Sequence, residues 1–487
     1  MQKPGDSVRN KAAAAAASVA LLLVLAGCAG LPAPVTPPAL SDATTLKLQG
    51  PSIAAAQPVQ WWRAFGDPQL DRLVEQSLTA SPSLQQVQSR LERARANLDL
   101  ARGGNPTLGA SLDITRQRYS ANGLYPPPIA GSIRESETLQ LNGNWELDFF
   151  GKNRAALDAA IGSTNAAEAD AQAARNLLAA GVVRAYLQLA RNNDQLAVAQ
   201  RALTQRQEAL ALVRDRVDAG LDSRLELTQS EAGLPQARQQ IEALQEQAAL
   251  AGNVLAALLG RPNEALTAKA PTLAMLSAPP APDSVPADLL GARPDIAAAR
   301  WRVEAAGQDV RNARAQFYPN INIVAFAWLS SFGLSRLFQS GSQQWGVGPA
   351  VRLPIFDAGR LRANLRGKNA DLELAIASYN SAVVDAVHDV ADQIASIQSI
   401  ARQRTEQQQA QRSAQEAYDI ALQRYKAGLG SYLNVLSAET TVLEQRRLAV
   451  DLAARALDSR ALLMRALGGA LPDERPSAAA STERTPS

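Results

Sequence analysis

Few residues in this 487-residue chain have the types and spacing that chemistry needs. The only histidine, His388, stands among Asp385, Asp389 and Asp392. One imidazole beside carboxylates at helical spacing has the makings of a metal ligand set, but a solvated helix face reads the same way. Asp357-Ala-Gly-Arg360 is polar enough for a site and is better explained as a strand-to-helix turn. Tyr425 would need a neighbouring base, and none stands near it. There is no His-Glu-x-x-His, no nucleophile elbow and no phosphate-binding loop. The formal charge is +3. Lys3, Arg9 and Lys11 against Asp6 supply most of it, so the rest of the chain is nearly balanced. No basic run with interleaved aromatics points to nucleic acid. The reading is a protein that is not an enzyme, with no resident cofactor or metal.

Aromatics are sparse, and the Ala-, Leu-, Gln- and Arg-rich composition favours long helices. Two stretches organise them. Arg216-Val-Asp-Ala-Gly-Leu-Asp-Ser-Arg-Leu225 and Arg424-Tyr-Lys-Ala-Gly-Leu-Gly-Ser-Tyr-Leu433 align without a gap, 208 residues apart. The register holds through Glu231/Glu439, Arg238/Arg446, Leu244/Leu452, Leu255/Leu463 and Leu259-Gly260/Leu467-Gly468. Gly220 and Gly428 suit a helix end, where a residue without Cβ takes the left-handed conformation. Ser223 and Ser431 suit the next N-cap. Each copy therefore reads as the tip of a helical hairpin in a tandem repeat, 61–260 and 293–468. A Pro/Ala-rich linker (261–292) joins the halves, and 469–487 has the composition of a disordered tail.

Before each tip, Val182, Leu189, Leu196, Leu203, Leu210 and Val217 recur every seven residues, and Val383, Val387, Val390, Ile394 and Ile397 recur at four and three. This is a coiled-coil seam. About sixty helical residues would span roughly 90 Å, which no compact core needs. Upstream, residues 69–102 read as one helix with Ser83 as a plausible cap, matched by 294–314. Strands with period-two alternation follow: 105–114 and 318–327, with return strands 138–147 and 344–353. A polar loop is expected over 119–137. Leu139, Leu141, Trp145 and Leu147 face one way, and Gln140, Asn142, Asn144 and Glu146 the other. Such strands suit lipid outside and water inside. Four strands cannot close a barrel, and open edges in lipid lack partners. Several chains must then share one barrel. Three would supply twelve strands, although the physical argument gives only "more than one".

Residues 1–27 have a basic start and an apolar run over 12–25, as a signal peptide does. They end at Leu25-Ala-Gly-Cys28, which holds the only cysteine. Cys28 resembles the lipidated residue of a bacterial lipobox. Its thiol would take diacylglycerol and its freed amine an acyl chain such as palmitate, enough for stable anchoring. Ala29 stands where an Asp commonly retains lipoproteins in the inner membrane, so the resemblance implies the outer membrane. Residues 28–60 read as a tether, and Trp61-Trp62-Arg-Ala-Phe65 could seat it against the first helix.

The tandem halves, Leu353-Pro-Ile-Phe-Asp-Ala-Gly-Arg360, and the Arg424–Glu439 segment together resemble the outer-membrane factors, the TolC-like efflux channels, over roughly 60–468. Their lipid-anchored branch is the nearest match. The resemblance implies a mixed α and β fold. A twelve-stranded outer-membrane barrel is shared by a homotrimer and joined to a periplasmic α-helical tunnel. Its partners would be an inner-membrane efflux pump, a periplasmic membrane-fusion adaptor and outer-membrane lipid. The function would be passive export of drugs or other small molecules from a Gram-negative cell. Tyr425 matches a tyrosine that holds neighbouring helices at the closed periplasmic tip, and Leu433 matches an apolar gate residue. Asn434 and Ser437 stand where family members often carry acids. Asp222 and Glu226 of the first tip would then supply an acidic entrance. A periplasmic coiled-coil scaffold or adaptor, or the same channel serving type I protein secretion or metal efflux, remains open at this stage.

Replacing Cys28 by Ser is expected to abolish acylation while leaving barrel insertion intact. Mass analysis of the mature N-terminus checks this: an unmodified Cys28 in the native chain would defeat the lipoprotein reading.

Overall fold

The computed structural model describes residues 38–40, 60–261, 270–279 and 293–469. The signal segment, Cys28, nearly all of the tether, much of the 261–292 linker and the tail beyond Gly469 lie outside the described residues. The described elements run α1 (Pro68–Ala80), α2 (Pro82–Gly103), β1 (Thr107–Arg118), β2 (Ile133–Leu147), α3 (Lys152–Asp218), α4 (Arg224–Leu258), α5 (Pro294–Ala315), β3 (Asn320–Phe332), β4 (Gln343–Arg352), α6 (Arg360–Lys426) and α7 (Tyr432–Ala466). Each long helix has 67 residues and each return helix 35, in both halves. The duplication seen in the sequence is thus a duplication of elements. Spatially the chain divides otherwise. One compact unit gathers 91–167 and 299–379, with all four strands. The other gathers 168–298 and the chain from 380 onward, with both hairpin tips.

The strands form one antiparallel sheet in the order β1-β2-β3-β4. Its register lines up Leu112, Leu139 and Leu329 in one row. Ala110, Leu141, Ala327 and Trp345 make the next, and Leu147, Ile321 and Val351 the last. One face is therefore apolar from edge to edge, with Leu108 79% and Trp345 77% exposed. Pro349, which has no N–H to give, sits on the edge strand β4. The strands run longer than the alternation predicts. β2 begins at Ile133, inside the expected polar loop, because its charged residues find partners: Arg116 pairs with Glu135 at 3.5 Å and buried Glu137 accepts from Gly333 N at 2.8 Å. β3 also departs from expectation. Its second face is not small and polar but carries Val324, Phe326 and Trp328.

Residues 69–102 are not one helix. Pro82 disfavours helical backbone at Ser81, which adopts φ −67°, ψ 123° and ends α1. Pro82 is then the first residue of α2, where its missing N–H costs nothing. Ser83 is consequently not the cap; its hydroxyl lies 2.9 Å from that of Ser81. After each return strand an aspartate caps the long helix. Asp148 accepts from the N–H groups of Asn153 and Arg154, and Asp357 from those of Gly359 and Leu361.

Trp61, Trp62 and Phe65 are buried against the first helix, as expected, in a cluster that holds Leu70, Leu73 and Val74 of α1 together with Ala179, Val183 and Tyr186 of α3. Trp61 Nε1 donates to Asn176 Oδ1 at 3.0 Å, and Tyr186 donates to Asp67 Oδ2 at 2.5 Å. Asp67 in turn caps α1 through Gln69 N. Three arginines of α3 reach acids of α7: Arg184 to Asp458 at 2.7 Å, Arg191 to Asp451 at 2.6 Å and Arg206 to Glu439 at 2.8 Å. The acid's number falls as the arginine's rises, as antiparallel neighbours require. Among the described residues no helix is long and apolar enough to cross a membrane, which says nothing of a barrel.

Gly162 of α3 fixes the approach of α5. A Cβ there would lie 3.1–3.2 Å from the Cβ, Cα and N of Ala305. Gly162→Leu is expected to cost about 1–3 kcal/mol through overpacking and to lower the melting temperature of the purified protein. An unchanged melting temperature would show that the two helices can separate freely.

Candidate gate at the paired hairpin tips

Both helix ends close in the same way. Gly220 and Gly428 hold φ +72° and +73°. Leu221 N donates to Arg216 O and Gly220 N to Val217 O, and the second tip repeats this with Leu429 to Arg424 and Gly428 to Tyr425. This is the Schellman arrangement, which a left-handed glycine permits. The return helices start differently. Ser223 and Glu226 form a reciprocal capping box on α4. Ser431 occupies the equivalent N-cap of α7 with no side-chain cap bond. Asn434 stands where Glu226 does, so the reciprocal partner is missing.

Between the tips lies a knot in which two of the three residues, Tyr425 and Asp222, have no like counterpart in the other copy. Tyr425 stands where the first copy has Val217, and Asp222 where the second has Gly430. The Tyr425 hydroxyl donates to Asp222 Oδ2. Arg216 grips the same carboxylate through two nitrogens, at 3.0 and 3.3 Å. Its guanidinium also lies over the Tyr425 ring, 4.7 Å from the centroid. Tyr425 is 1% exposed and packs with Tyr432, Val213, Tyr418 and Val435. Burial opposes charge on Asp222, but the Arg216 and Tyr425 bonds outweigh it and hold the carboxyl below its ordinary range. Burial, then the bond to Asp222, pushes the Tyr425 hydroxyl up, so it stays a donor. The Ser223 hydroxyl bond lowers Glu226.

These contacts alter the acidic entrance expected from Asp222 and Glu226. Arg216 neutralises Asp222, whose side chain is only 11% exposed, and the capping box holds Glu226. Leu433, by contrast, is 61% exposed, and Asn434 and Ser437 are exposed beside it on the first turns of α7. Among the described residues nothing covers that strip. Behind it, Arg206 binds buried Glu439 and also donates to Gly233 O at 3.0 Å, joining α3, α4 and α7. Sequence reasoning aligned Glu439 with Glu231 but missed this pair. The aligned Glu231 instead meets Arg214 in solvent, at 3.0 Å. The signal was faint: Arg206 has Ala414 as its counterpart, so nothing in the repeat flags it. His388 is exposed, 3.4 Å from Asp392.

Residues 73–261 and 285–469 match the outer membrane efflux protein family. The chain belongs to that family. This efflux protein is 34% identical over 463 residues to the putative multidrug resistance outer membrane protein MdtQ of Escherichia coli K12, across 92% of this chain and 96% of that relative. It is 35% identical over 383 residues to the fusaric acid resistance protein FusA of Burkholderia cepacia, across 76% of this chain and 71% of the relative. Among solved structures, the outer membrane protein VceC of Vibrio cholerae matches at TM-score 0.80 and 35% identity, over 85% of this chain and 100% of that one. This efflux protein is an outer-membrane channel, and its work is transport.

Removing the Tyr425 hydroxyl as Tyr425→Phe takes a hydrogen bond from a charged group, a loss of about 1.5–3 kcal/mol. Hydrogen exchange at the tip amides of Leu221 and Leu429 should then quicken by about tenfold or more. The sign with pH follows from the lowered Asp222. Its contribution is complete above its ordinary value of 3.8 and is lost as pH falls below that. Tip exchange indifferent to Tyr425→Phe would show that the knot does not hold the tips.

Proposed function

We propose that this protein works as a homotrimer and forms the passive exit duct of a tripartite efflux system. The observation that carries the reading is the four-stranded sheet, apolar across one face and, among the described residues, unpaired at both edges. In lipid such edges need partners, and adjoining copies supply them as one twelve-stranded barrel. The long hairpins of three copies form the wall of a periplasmic tunnel. An inner-membrane pump supplies the energy, and a periplasmic membrane-fusion adaptor recruits the channel. The duct performs no chemistry and needs no cofactor. The names of MdtQ and FusA refer to multidrug and fusaric acid resistance in those proteins, which favours small toxic molecules as cargo here. Cys28 carries acyl chains that add a lipid anchor in the same membrane.

Three copies of Leu433 face one another at the closed end. A narrow apolar ring resists wetting and blocks ions without a charge. Asn434 and Ser437 line the approach, and the Arg216–Asp222–Tyr425 knot keeps the tips drawn together. Adaptor binding breaks the knot, a loss of a few hydrogen bonds rather than of a core.

In planar bilayers Leu433→Ala should raise basal conductance, while Ser437→Ala leaves it near the native value. Asp222→Asn with Glu226→Gln should lower cation preference and, by cutting the knot, raise conductance as well. Mass measurement of the detergent-solubilised complex should give three chains. A monodisperse monomer with native strand content would rule out the shared barrel, and unchanged conductance in an assembled Leu433→Ala trimer would remove Leu433 from the gate.

A further inference from the structure

The sheet face opposite the apolar one is built mostly of amides, hydroxyls and glycines. Successive rows read Ser111-Gln140-Trp328-Gln344, Gly109-Asn142-Phe326-Gly346 and Thr107-Asn144-Val324-Gly348. Two large rings interrupt it. Phe326 and Trp328 stack with centroids 4.9 Å apart and planes 26° from parallel. Both rings are partly buried and keep some exposed surface. Both are held in place. Trp328 Nε1 donates to Gln344 Oε1 at 2.9 Å. The Phe326 ring lies over Gly346, where an added Cβ would come within 2.6 Å of its Cζ. The floor beside them is bare, since a Cβ at Gly109 or at Gly348 would meet nothing within 4 Å.

We infer that the Phe326–Trp328 pair is a stacking site for planar aromatic cargo, neutral or cationic, on the wall of the lumen. The inference rests on the proposed reading that this face lines water and the apolar face meets lipid. A π-surface fixed by a hydrogen bond and a glycine seat is preorganised to stack a flat ring at little entropic cost. The bare glycine floor leaves room for a flat molecule to slide over it. Charge complements the class. The three rows hold no lysine or arginine, the adjoining row adds exposed Asp113, and Glu146 at the other end is already paired with Lys152 at 2.5 Å. Beside the rings a planar cation therefore meets quadrupole faces and the Asp113 carboxylate, while the arginines of this face, Arg134 and Arg352, lie in rows farther along the strands. Covering Gly346 takes only the Phe326 ring, so the second ring stacked beside it is not explained by that contact.

The test uses trimers in planar bilayers with ethidium as the planar aromatic cation and tetraethylammonium as a cation without a ring. Ethidium should block the current, and Trp328→Leu, which keeps apolar bulk without the indole face, should weaken the block by about three- to tenfold. Trp328→Phe should restore most of it. Trp345→Ala, on the opposite face, should leave ethidium block unchanged, and tetraethylammonium block should be the same in all variants. On the native trimer, ethidium should also quench tryptophan emission saturably, and should still do so in Trp345→Ala. Unchanged ethidium block in Trp328→Leu overturns the stacking site and leaves the channel reading standing. Block weakened by Trp345→Ala instead overturns the assignment of the two faces, and the inference with it. If Trp328→Leu does not assemble, absence of saturable quenching in the native trimer overturns the site.

Discussion

An open sheet edge is the constraint on which the rest of this structure depends. Among the described residues, backbone N–H and C=O groups on β1 and β4 have no strand partner on their outer sides, and the face they flank is apolar. Water would tolerate the edges and reject the face; lipid would accept the face and reject the edges. Only pairing with further chains satisfies both. Pro349 on β4 is compatible with such an edge because a residue without an N–H forfeits little where half the ladder bonds point outward. The protein is an outer-membrane channel by family, and its sheet is the physical ground for the proposal that several copies share one barrel.

The hairpin tips, the proposed gate, are held by a different set of contacts. The duplication provides two tips with the same glycine turn and the same leucines. Function enters where the copies diverged in complementary ways. Tyr425 and Asp222 each replaced a residue that the other copy leaves apolar or absent, and Arg216 of the first tip serves both. The result is a small polar knot at the rim of a modest apolar cluster. Farther along α3 the ties are heavier. Arg206 and Glu439 are largely removed from solvent, so separating them would strand a buried charge. The Arg206 junction thus lies behind the tips as a second, more buried tie among α3, α4 and α7.

Much was legible in the sequence because the strongest signals are local. Glycine at a helix end, serine at the next cap, a seven-residue seam and period-two alternation all act within a few residues of themselves. They determined the tandem repeat, the four strands, the equal hairpins and the family. The failures were also local competitions. Pro82 overrode a helical pattern that ran through it. Cross-strand charge partners carried β2 into what read as a loop. Ser431 stands at the N-cap as expected, but Asn434 in place of Glu226 gives no carboxylate for the reciprocal half of a capping box.

Only the tertiary structure decided which polar residues meet. Asp222 and Glu226 read from sequence as free acids at an entrance. Folding brings an arginine six residues away and a tyrosine 203 residues away onto Asp222, and so turns a charge into a fastening. Arg206 finds Glu439 across 233 residues, and Phe326 finds Gly346 across a strand pair. Such contacts leave no periodic trace, because a hydrogen bond or an ion pair needs a matched distance and angle in space, and spacing along the chain does not encode either.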